Sequence, residues 1–306
     1  MHRKKGEDLS GWVNLDKPAG MTSTDAVGKV RRILNANKVG HGGTLDPLAT
    51  GILPIALGEA TKTIPFCQDH LKTYSFSVRW GEERDTDDAE GQVIATSDIR
   101  PDEAAIRAVL PRFTGEIDQI PPLFSAIKVN GQRAYDLARA GEIPDLAPRL
   151  VYIQEIELCK ISTREARFKC ICGKGTYMRS LARDMARALG TVGYIVDLRR
   201  EAVGPLTLDT AISLEKLAEV GHSALLPVET VLDDIPALAL NEREAVRLKQ
   251  GQKLTFMSRP DLERLMRAGL GLDVEESEAL AVYNGKPIAL VTVRGAEVSP
   301  LRVLNL

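Results

Sequence analysis

The run Gly40-His41-Gly42-Gly43-Thr44-Leu45-Asp46-Pro47-Leu48-Ala49-Thr50-Gly51 sets one carboxylate, Asp46, in a stretch too rich in glycine and proline for regular helix or strand. Glycine opens backbone conformations closed to other residues, and the residue before a proline is pushed out of the helical region. Asp46 is therefore expected on a rigid, unusual turn, where folds present reactive side chains. A single Asp presented this way suits a nucleophile or a general base. The same turn would also suit an Asp that only caps a following helix.

Three further residues could act on such a carboxylate or on its substrate. In Gly173-Lys174-Gly175-Thr176-Tyr177-Met178-Arg179-Ser180 a glycine-rich turn leads into a helix start, a place that binds anions through free N–H groups and the helix dipole. Arg179 could hold a carboxylate through two parallel hydrogen bonds and keep it ionised, which would suit Asp46, or it could pair with a structural acid. Tyr74, at the start of a strand, could stack on a base or fill the core. His41, between glycines, could stack on or hydrogen-bond a nucleotide, or simply be solvated.

The elements that must position these residues are visible in the hydrophobic pattern. Gly11 to Pro18 reads as a short strand ended by proline. Thr22-Ser23-Thr24-Asp25 offers capping hydroxyls for a helix to about Leu34, with Ala26, Val27, Val30, Ile33 and Leu34 at helical spacing. Tyr74 to Trp80 alternates strictly and reads as a strand with one apolar face. An acidic loop, Glu82 to Gly91, joins it to Gln92-Val93-Ile94-Ala95, and Pro101 to Leu110 reads as a helix. Pro121 to Lys128 is irregular and then extended, and Ala134 to Ala140 looks helical. Leu150–Ser162 and Ala166–Gly173 read as a hairpin, and Tyr177 to Leu189 as a strongly patterned helix closed by Gly190. A second unit begins near Asp233-Asp234-Ile235-Pro236. It opens with a helix, Glu242 to Gln250, and continues in short strands around Asn284-Gly285, a hairpin turn signal. A small barrel-like module fits this tail.

Composition narrows the function classes. The chain has 306 residues, 44% hydrophobic and 27% charged, with a net charge of -2 and a pI near 6.2. These values fit a globular protein and argue against a strongly basic nucleic-acid binder. Charge is unevenly spread. Lys160 to Arg200 holds ten Lys and Arg against Glu165, Asp184 and Asp197, a net of +7, whereas Glu82 to Glu90 holds six acids against Arg84, a net of -5. The basic stretch would give a face for phosphates. No run of about 18 apolar residues predicts a membrane span. The basic start lacks an apolar core of the signal-peptide kind, which points to the cytoplasm. Four cysteines and four scattered histidines lack zinc-site spacing, so no metal is expected and the cysteines read as small, mostly buried residues. Asp85 to Gly91 superficially resembles a calcium loop but has Ala89 where an oxygen ligand is needed and Thr96 at the twelfth position. It reads as an acidic turn with internal Asx hydrogen bonds. Gly40 to Thr44 lacks the ending of a phosphate-binding P-loop.

Five segments together resemble the bacterial tRNA pseudouridine-55 synthases, the TruB family. They are Leu15 to Ser23, Gly40 to Gly51 with Gly58-Glu59-Ala60-Thr61-Lys62, Pro121 to Lys128, Gly175 to Leu181, and Leu198-Arg199-Arg200, in the family's order across the first 200 residues. The resemblance implies an α+β fold: a mixed, mainly antiparallel sheet with flanking helices, and a small C-terminal β-rich, PUA-like RNA-binding module. It divides the chain into a catalytic domain, residues 1–235, and that module, residues 236–306. It also implies isomerisation of one uridine in the T loop of tRNA, with the C1′–N1 bond broken and a C1′–C5 bond made, and no metal or organic cofactor. In this reading Asp46 is the catalytic residue, Tyr74 stacks on the target base and can take a proton, and Arg179 pairs with Asp46. His41 helps hold the flipped nucleotide, and Lys17, Tyr177, Leu198, Gly42, Gly43 and Thr44 line the pocket. Attack at C1′, addition to the base and a glycal route are all compatible with it. The expected partner is the tRNA T stem-loop, bound by a monomer with no obligate protein partner and no membrane. Val203-Gly204-Pro205-Leu206 departs from the family at Leu206, where an aromatic is expected. A non-catalytic RNA binder would lack one of Asp46, Tyr74 and Arg179. The guide-RNA-dependent relatives share the Asp turn but need partners, and a glycoside hydrolase would need a second facing carboxylate.

Overall fold

The computed structural model describes residues 6–125, 127–129, 131–142, 144–271 and 275–306. The basic start, Met1 to Lys5, and Ala126 of the Pro121–Lys128 motif lie outside the described residues. In chain order the first half holds β1 (Gly11–Lys17), α1 (Ser23–Ile33), β2 (Val39–His41), β3 (Thr50–Leu57), α2 (Ile64–Asp69), β4 (Lys72–Trp80), β5 (Glu82–Arg84), β6 (Val93–Thr96), α3 (Glu103–Val109) and β7 (Gly115–Gln119). Next come β8 (Lys128–Val129), β9 (Gln132–Arg133), α4 (Ala134–Arg139), β10 (Arg149–Ile161), β11 (Glu165–Cys172), α5 (Met178–Ala188), β12 (Gly193–Val203), β13 (Leu206–Thr207) and α6 (Leu214–Val220). The tail contributes β14 (Ala237–Ala239), α7 (Glu242–Lys249), β15 (Leu254–Thr255), α8 (Arg259–Arg267), β16 (Ser277–Tyr283), β17 (Lys286–Arg294) and β18 (Glu297–Val303).

Nine strands form one sheet in the order β1-β3-β12-β4-β11-β10-β7, with β2 added to β3 and β13 to β12. Only the β3–β12 contact is parallel among its described pairings. Register does the positioning. Phe76 of β4 lies opposite Phe168 on one side and Leu198 on the other, and Tyr74 lies between Cys170 and Arg200. Residues two apart share a face, so Tyr74, Leu198 and Arg200 are brought together by strand pairing alone. Behind them Phe76 stacks on Phe168 at 5.5 Å between ring centroids, and Trp80 meets Phe168 edge-on at 6.4 Å. The inner face of α5, Met178, Leu181, Ala182, Met185 and Ala186, closes this core. Each large apolar side chain buried there contributes about 1.5–3 kcal/mol.

Helix α1 starts where the hydroxyls predict: the Thr22 side chain accepts from Asp25 N at 3.1 Å, and Ala26, Val30 and Leu34 are buried. The acidic segment is only partly a loop. Glu82–Arg84 forms a strand that pairs with β6, making a two-stranded ribbon with an acidic tip. At that tip Asp88 accepts from Glu90 N, an Asx bond of the kind expected there, and Asp85 accepts from Gln92 N across the ribbon. Two strands central to the sheet carry no sequence expectation. Pro54 interrupts the pattern of β3, and Asp197, Arg199 and Arg200 interrupt that of β12. Cys159 is exposed, whereas Cys67, Cys170 and Cys172 are buried.

The tail forms a five-stranded sheet in the order β14-β16-β17-β18-β15. Asn284 and Gly285, both at positive φ, make the tight turn between β16 and β17. One face packs on α7 and α8 through Leu248, Phe256 and Leu265. On the other, Leu280, Leu290 and Leu304 join Trp12, Ile52 and Val203 of the first sheet. Leu206 is buried in this same cluster and fills the place of the expected aromatic. Among the described residues no helix is long and apolar enough to cross a membrane.

Candidate active site

The Asp46 turn connects β2 to β3, and no helix begins at it, so the helix-cap reading is removed. Its path is fixed from several sides. Gly42 donates to Pro54 O at 2.8 Å, and a Cβ there would sit 2.6 Å from Cys67 Sγ. Ser23 Oγ both accepts from Leu45 N (2.8 Å) and donates to Leu45 O (3.0 Å). Lys17 Nζ donates to the carbonyls of Pro18, Met21 and Pro47 at 2.9, 2.8 and 3.4 Å. Gly51 has φ +97, and a Cβ there would lie 2.1 Å from Arg200 O, so only glycine permits the parallel approach of β3 to β12.

Asp46 faces the buried guanidinium of Arg179. Arg179 Nε donates to Asp46 Oδ2 at 2.8 Å and Nη2 to Oδ1 at 3.0 Å, the two-pronged geometry that fixes carboxylate orientation as well as charge. The remaining donors reach Thr86 O and Phe124 O, each at 3.0 Å, and Asp88 Oδ2 stands 3.8 Å from Nε. The N-cap of α5, Tyr177, is pinned by Gln119. Gln119 accepts from Tyr177 N at 2.8 Å and donates to Tyr177 O at 3.1 Å.

A second buried guanidinium, Arg200, holds the backbone of the turn. It donates to Ile52 O (2.7 Å), Gly43 O (3.0 Å), Thr44 O (3.3 Å) and Tyr74 Oη (3.5 Å). Tyr74 is 9% exposed, and burial raises its phenol above the ordinary range, with Arg200 opposing. Leu198 is buried beside it, and the Thr44 side chain is exposed. His41 is half-buried, and burial and then Arg200 lower its pKa. Its Nδ1 is buried with no hydrogen-bond partner among the described residues.

The Asp46 charge reaches Lys17, Tyr74, Tyr177 and Glu90. Burial pushes Lys17 down to about 8 with Asp46 resisting, and it pushes Tyr177 up with Asp46 adding to the rise. Thus Asp46, Arg179, Lys17, Tyr74 and Tyr177 lie in one electrostatic neighbourhood, and His41, Gly43, Thr44 and Leu198 adjoin it through Arg200 and the strand pairing. Arg200, Ser23, Asp88, Glu90 and the carbonyls of Thr86 and Phe124 were not foreseen. The signal for Asp88 and Glu90 was the acidic run itself.

That run also answers the basic one. Successive turns of α5 present Arg179, Arg183 and Arg187 to Asp88 (3.8 Å), Asp87 (3.0 Å) and Glu83 (2.7 Å). Arg167, Lys174 and Arg199 pair with Asp197, Asp69 and Asp16. Among the described residues this leaves Lys160, Arg164 and Lys169 as the exposed, unpaired cations of the stretch expected to attract phosphates.

Known proteins match this chain along nearly its whole length. A family model described as "TruB family pseudouridylate synthase (N terminal domain)" matches residues 31–178, and one described as "tRNA pseudouridylate synthase B C-terminal domain" matches residues 179–234. The tRNA pseudouridine synthase B of Rhodospirillum rubrum is 52% identical over 310 residues, covering 99% of each chain. That of Paracoccus denitrificans is 47% identical over 311 residues and covers all of both. Among solved structures, a chain in the crystal structure of a Cbf5-Nop10-Gar1 complex superimposes with a TM-score of 0.73 at 26% identity, over 96% of this chain and 84% of that one. A chain of an H/ACA RNP bound to a substrate RNA containing 2′-deoxyuridine gives the same TM-score at 22% identity, covering 100% and 92%, and supports the fold. The family models and these relatives define a pseudouridylate synthase, an isomerase. Within that class the chain belongs to the TruB family.

Proposed function

We propose that this enzyme converts the uridine at position 55, in the T loop of tRNA, to pseudouridine. The observation that carries this reading is the Asp46 carboxylate on a rigid turn, gripped by both prongs of Arg179. The target atoms are hidden in a stacked loop, so the nucleotide must be flipped out, at a cost of a few kcal/mol. Stacking on Tyr74 recovers roughly 1–3 kcal/mol. His41, with its unpartnered buried Nδ1, and the exposed Thr44 engage the flipped nucleotide. Lys17, Tyr177, Leu198, Gly42 and Gly43 shape the pocket. Asp46 then acts as nucleophile or acid–base group while the C1′–N1 bond breaks and, after the uracil turns, C1′–C5 forms, the C5 proton is released and the freed N1 takes up a proton. The reaction is a net isomerisation and draws on no metal or organic cofactor.

In this reading residues 1–235 form the catalytic domain, and residues 236–306 form a PUA-like module that grips RNA away from the reacting base. The five-stranded sheet with two helices supports that division. The enzyme works alone, as a monomer, in the cytoplasm on tRNA. The relatives that match nearly end to end are each named as a single tRNA pseudouridine synthase B, whereas the Cbf5 chain was solved with protein partners.

The test uses the purified protein and an unmodified tRNA transcript labelled with tritium at uridine C5. One equivalent of tritium is expected to be released per transcript, and none from a transcript with cytidine at position 55. No release by the protein alone, or release unaffected by that change, would overturn the reading. Release only after addition of partner proteins and a guide RNA would favour the guide-dependent class.

A further inference from the structure

The acidic tip of the β5–β6 ribbon is not a metal loop, and the proposed reaction uses none of its side chains directly. Yet it is held from several sides. Asp87 has φ +60, a conformation that non-glycine residues keep only where the surroundings over-determine it. Its N–H donates to Arg84 O at 3.0 Å, and its carbonyl accepts from Ile195 N of β12 at 3.1 Å. Its carboxylate is buried against Arg183, whose Nη1 lies 3.0 Å from Oδ2.

Arg183 sits one turn after Arg179 on α5, and the two side chains grip the same two segments. Arg179 donates to Thr86 O and Phe124 O. Arg183 donates to Asp87 and, through Nη2, to Ile120 O at 2.8 Å, a carbonyl that also accepts from Ser180 Oγ at 2.8 Å. Its Nε donates to Asp184 Oδ1 at 3.0 Å. Arg179 touches Asp46, whereas Arg183 fixes the ribbon tip and the 120–124 segment, which supply Arg179 with its two carbonyl acceptors.

We infer that the buried Arg183–Asp87 pair is a positioning device that aims Arg179, and through it the Asp46 carboxylate. The inference rests on the role proposed above for Asp46. Releasing the pair lets Thr86 O and Phe124 O move, the Arg179 fork re-aims, and Asp46 turns with it. Displacements of about 1 Å in such a constellation cost on the order of 100-fold in rate.

Asp87→Asn, Arg183→Gln and the double variant are compared in single-turnover tritium release with enzyme in excess, together with tRNA binding and thermal unfolding. Each single variant is expected to slow the chemical step about 10- to 100-fold while tRNA Kd stays within about threefold. The double variant removes both charges, leaves neither unpaired, and is expected to be no slower than the slower single. Arg183→Lys keeps the charge but cannot span Asp87 and Ile120 O, so it should fall between wild type and Arg183→Gln. Should a single variant fail to fold, Asp87→Gly removes the carboxylate and relieves the positive φ, and it is expected to show the same rate loss. Folded variants with the wild-type rate, losses that simply add in the double, or a weakened Kd with an unchanged rate would each overturn the inference. Asp46→Asn is run alongside. An active Asp46→Asn enzyme overturns the Asp46 reading itself. An inactive one beside fully active Asp87 and Arg183 variants overturns the positioning role alone.

Discussion

Two buried arginines flank Asp46 and do different work. Arg179 spends its donors on the Asp46 side chain and on two carbonyls from other segments. Arg200 makes no ion pair among the described residues and spends its donors on the backbone of the turn and on Tyr74. One aims the reactive group; the other holds the path of the chain that carries it. The contrast separates two demands on a reactive loop. A charge needs a counter-charge in a defined direction, whereas a turn buried without regular structure needs donors for its carbonyls. A single residue type meets both because the guanidinium fork offers five N–H groups in a fixed plane.

The largest effect should come from the group that Arg179 aims. Asp46→Asn keeps size and hydrogen-bonding capacity but removes the charge and the nucleophile. Its tritium-release rate is expected to fall by roughly 10⁴-fold or more, with tRNA binding and thermal stability close to wild type. A binding loss as large as the rate loss would place Asp46 with the residues that hold the turn.

Arg200 should show the opposite pattern. Arg200→Met leaves the buried carbonyl of Ile52 and the part-buried carbonyls of Gly43 and Thr44 without their donor, at a cost of about 3 kcal/mol in unfolding free energy, read from urea denaturation. His41 should also titrate at higher pH, because Arg200 helps depress it. Unchanged stability with a selective rate loss would erase the distinction between the two arginines.

Arg179→Lys probes direction without changing net charge. A lysine ammonium can neutralise Asp46 but cannot supply two parallel bonds and also reach Thr86 O and Phe124 O. A rate loss of roughly 10²- to 10³-fold at saturating tRNA, with little change in stability, is expected if aim rather than charge is what Arg179 provides. A near-wild-type lysine variant would reduce Arg179 to a counter-ion.

The two arginines also differ in how far they could be read from the sequence. Arg179 stood out because a glycine-rich turn precedes it at a helix start, and because a lone Asp elsewhere called for a cation. Arg200 sits in a strand whose charged residues hid the strand itself, and apart from Tyr74 its partners are backbone carbonyls, which leave no trace in residue types. Pro54 hid β3 in the same way, although that strand carries the chain away from Asp46. Helices α1, α3, α4, α5 and α7 and the β10–β11 hairpin were legible through periodicity and punctuation, whereas α2, α6 and α8 carried no expectation. The acidic and basic runs were legible as charge and misleading as surface. Only the packing of the ribbon against α5 shows that Glu83 and Asp87 neutralise Arg187 and Arg183, and a sequence read segment by segment does not contain that pairing.

Lys17 gives the finest test, since it belongs with Arg200: a fully buried cation whose hydrogen bonds all go to backbone carbonyls. Burial lowers its pKa from 10.5 to about 8. Between those values the unfolded chain binds a proton at this position that the folded chain does not, so stability rises with pH across that window. Below about pH 8 both states are charged, and the full cost of burying the ammonium is felt. The contribution is at most about 3 kcal/mol over the whole window. Other lysines titrate there too, so the measured quantity is the difference between wild type and Lys17→Met in urea unfolding at pH 7.5, 9 and 10.5. The wild type should gain on the variant as pH rises. A difference that stays flat would mean that the three carbonyls fully compensate the buried charge, and Lys17 would then match Arg200 in energetics as well as in geometry.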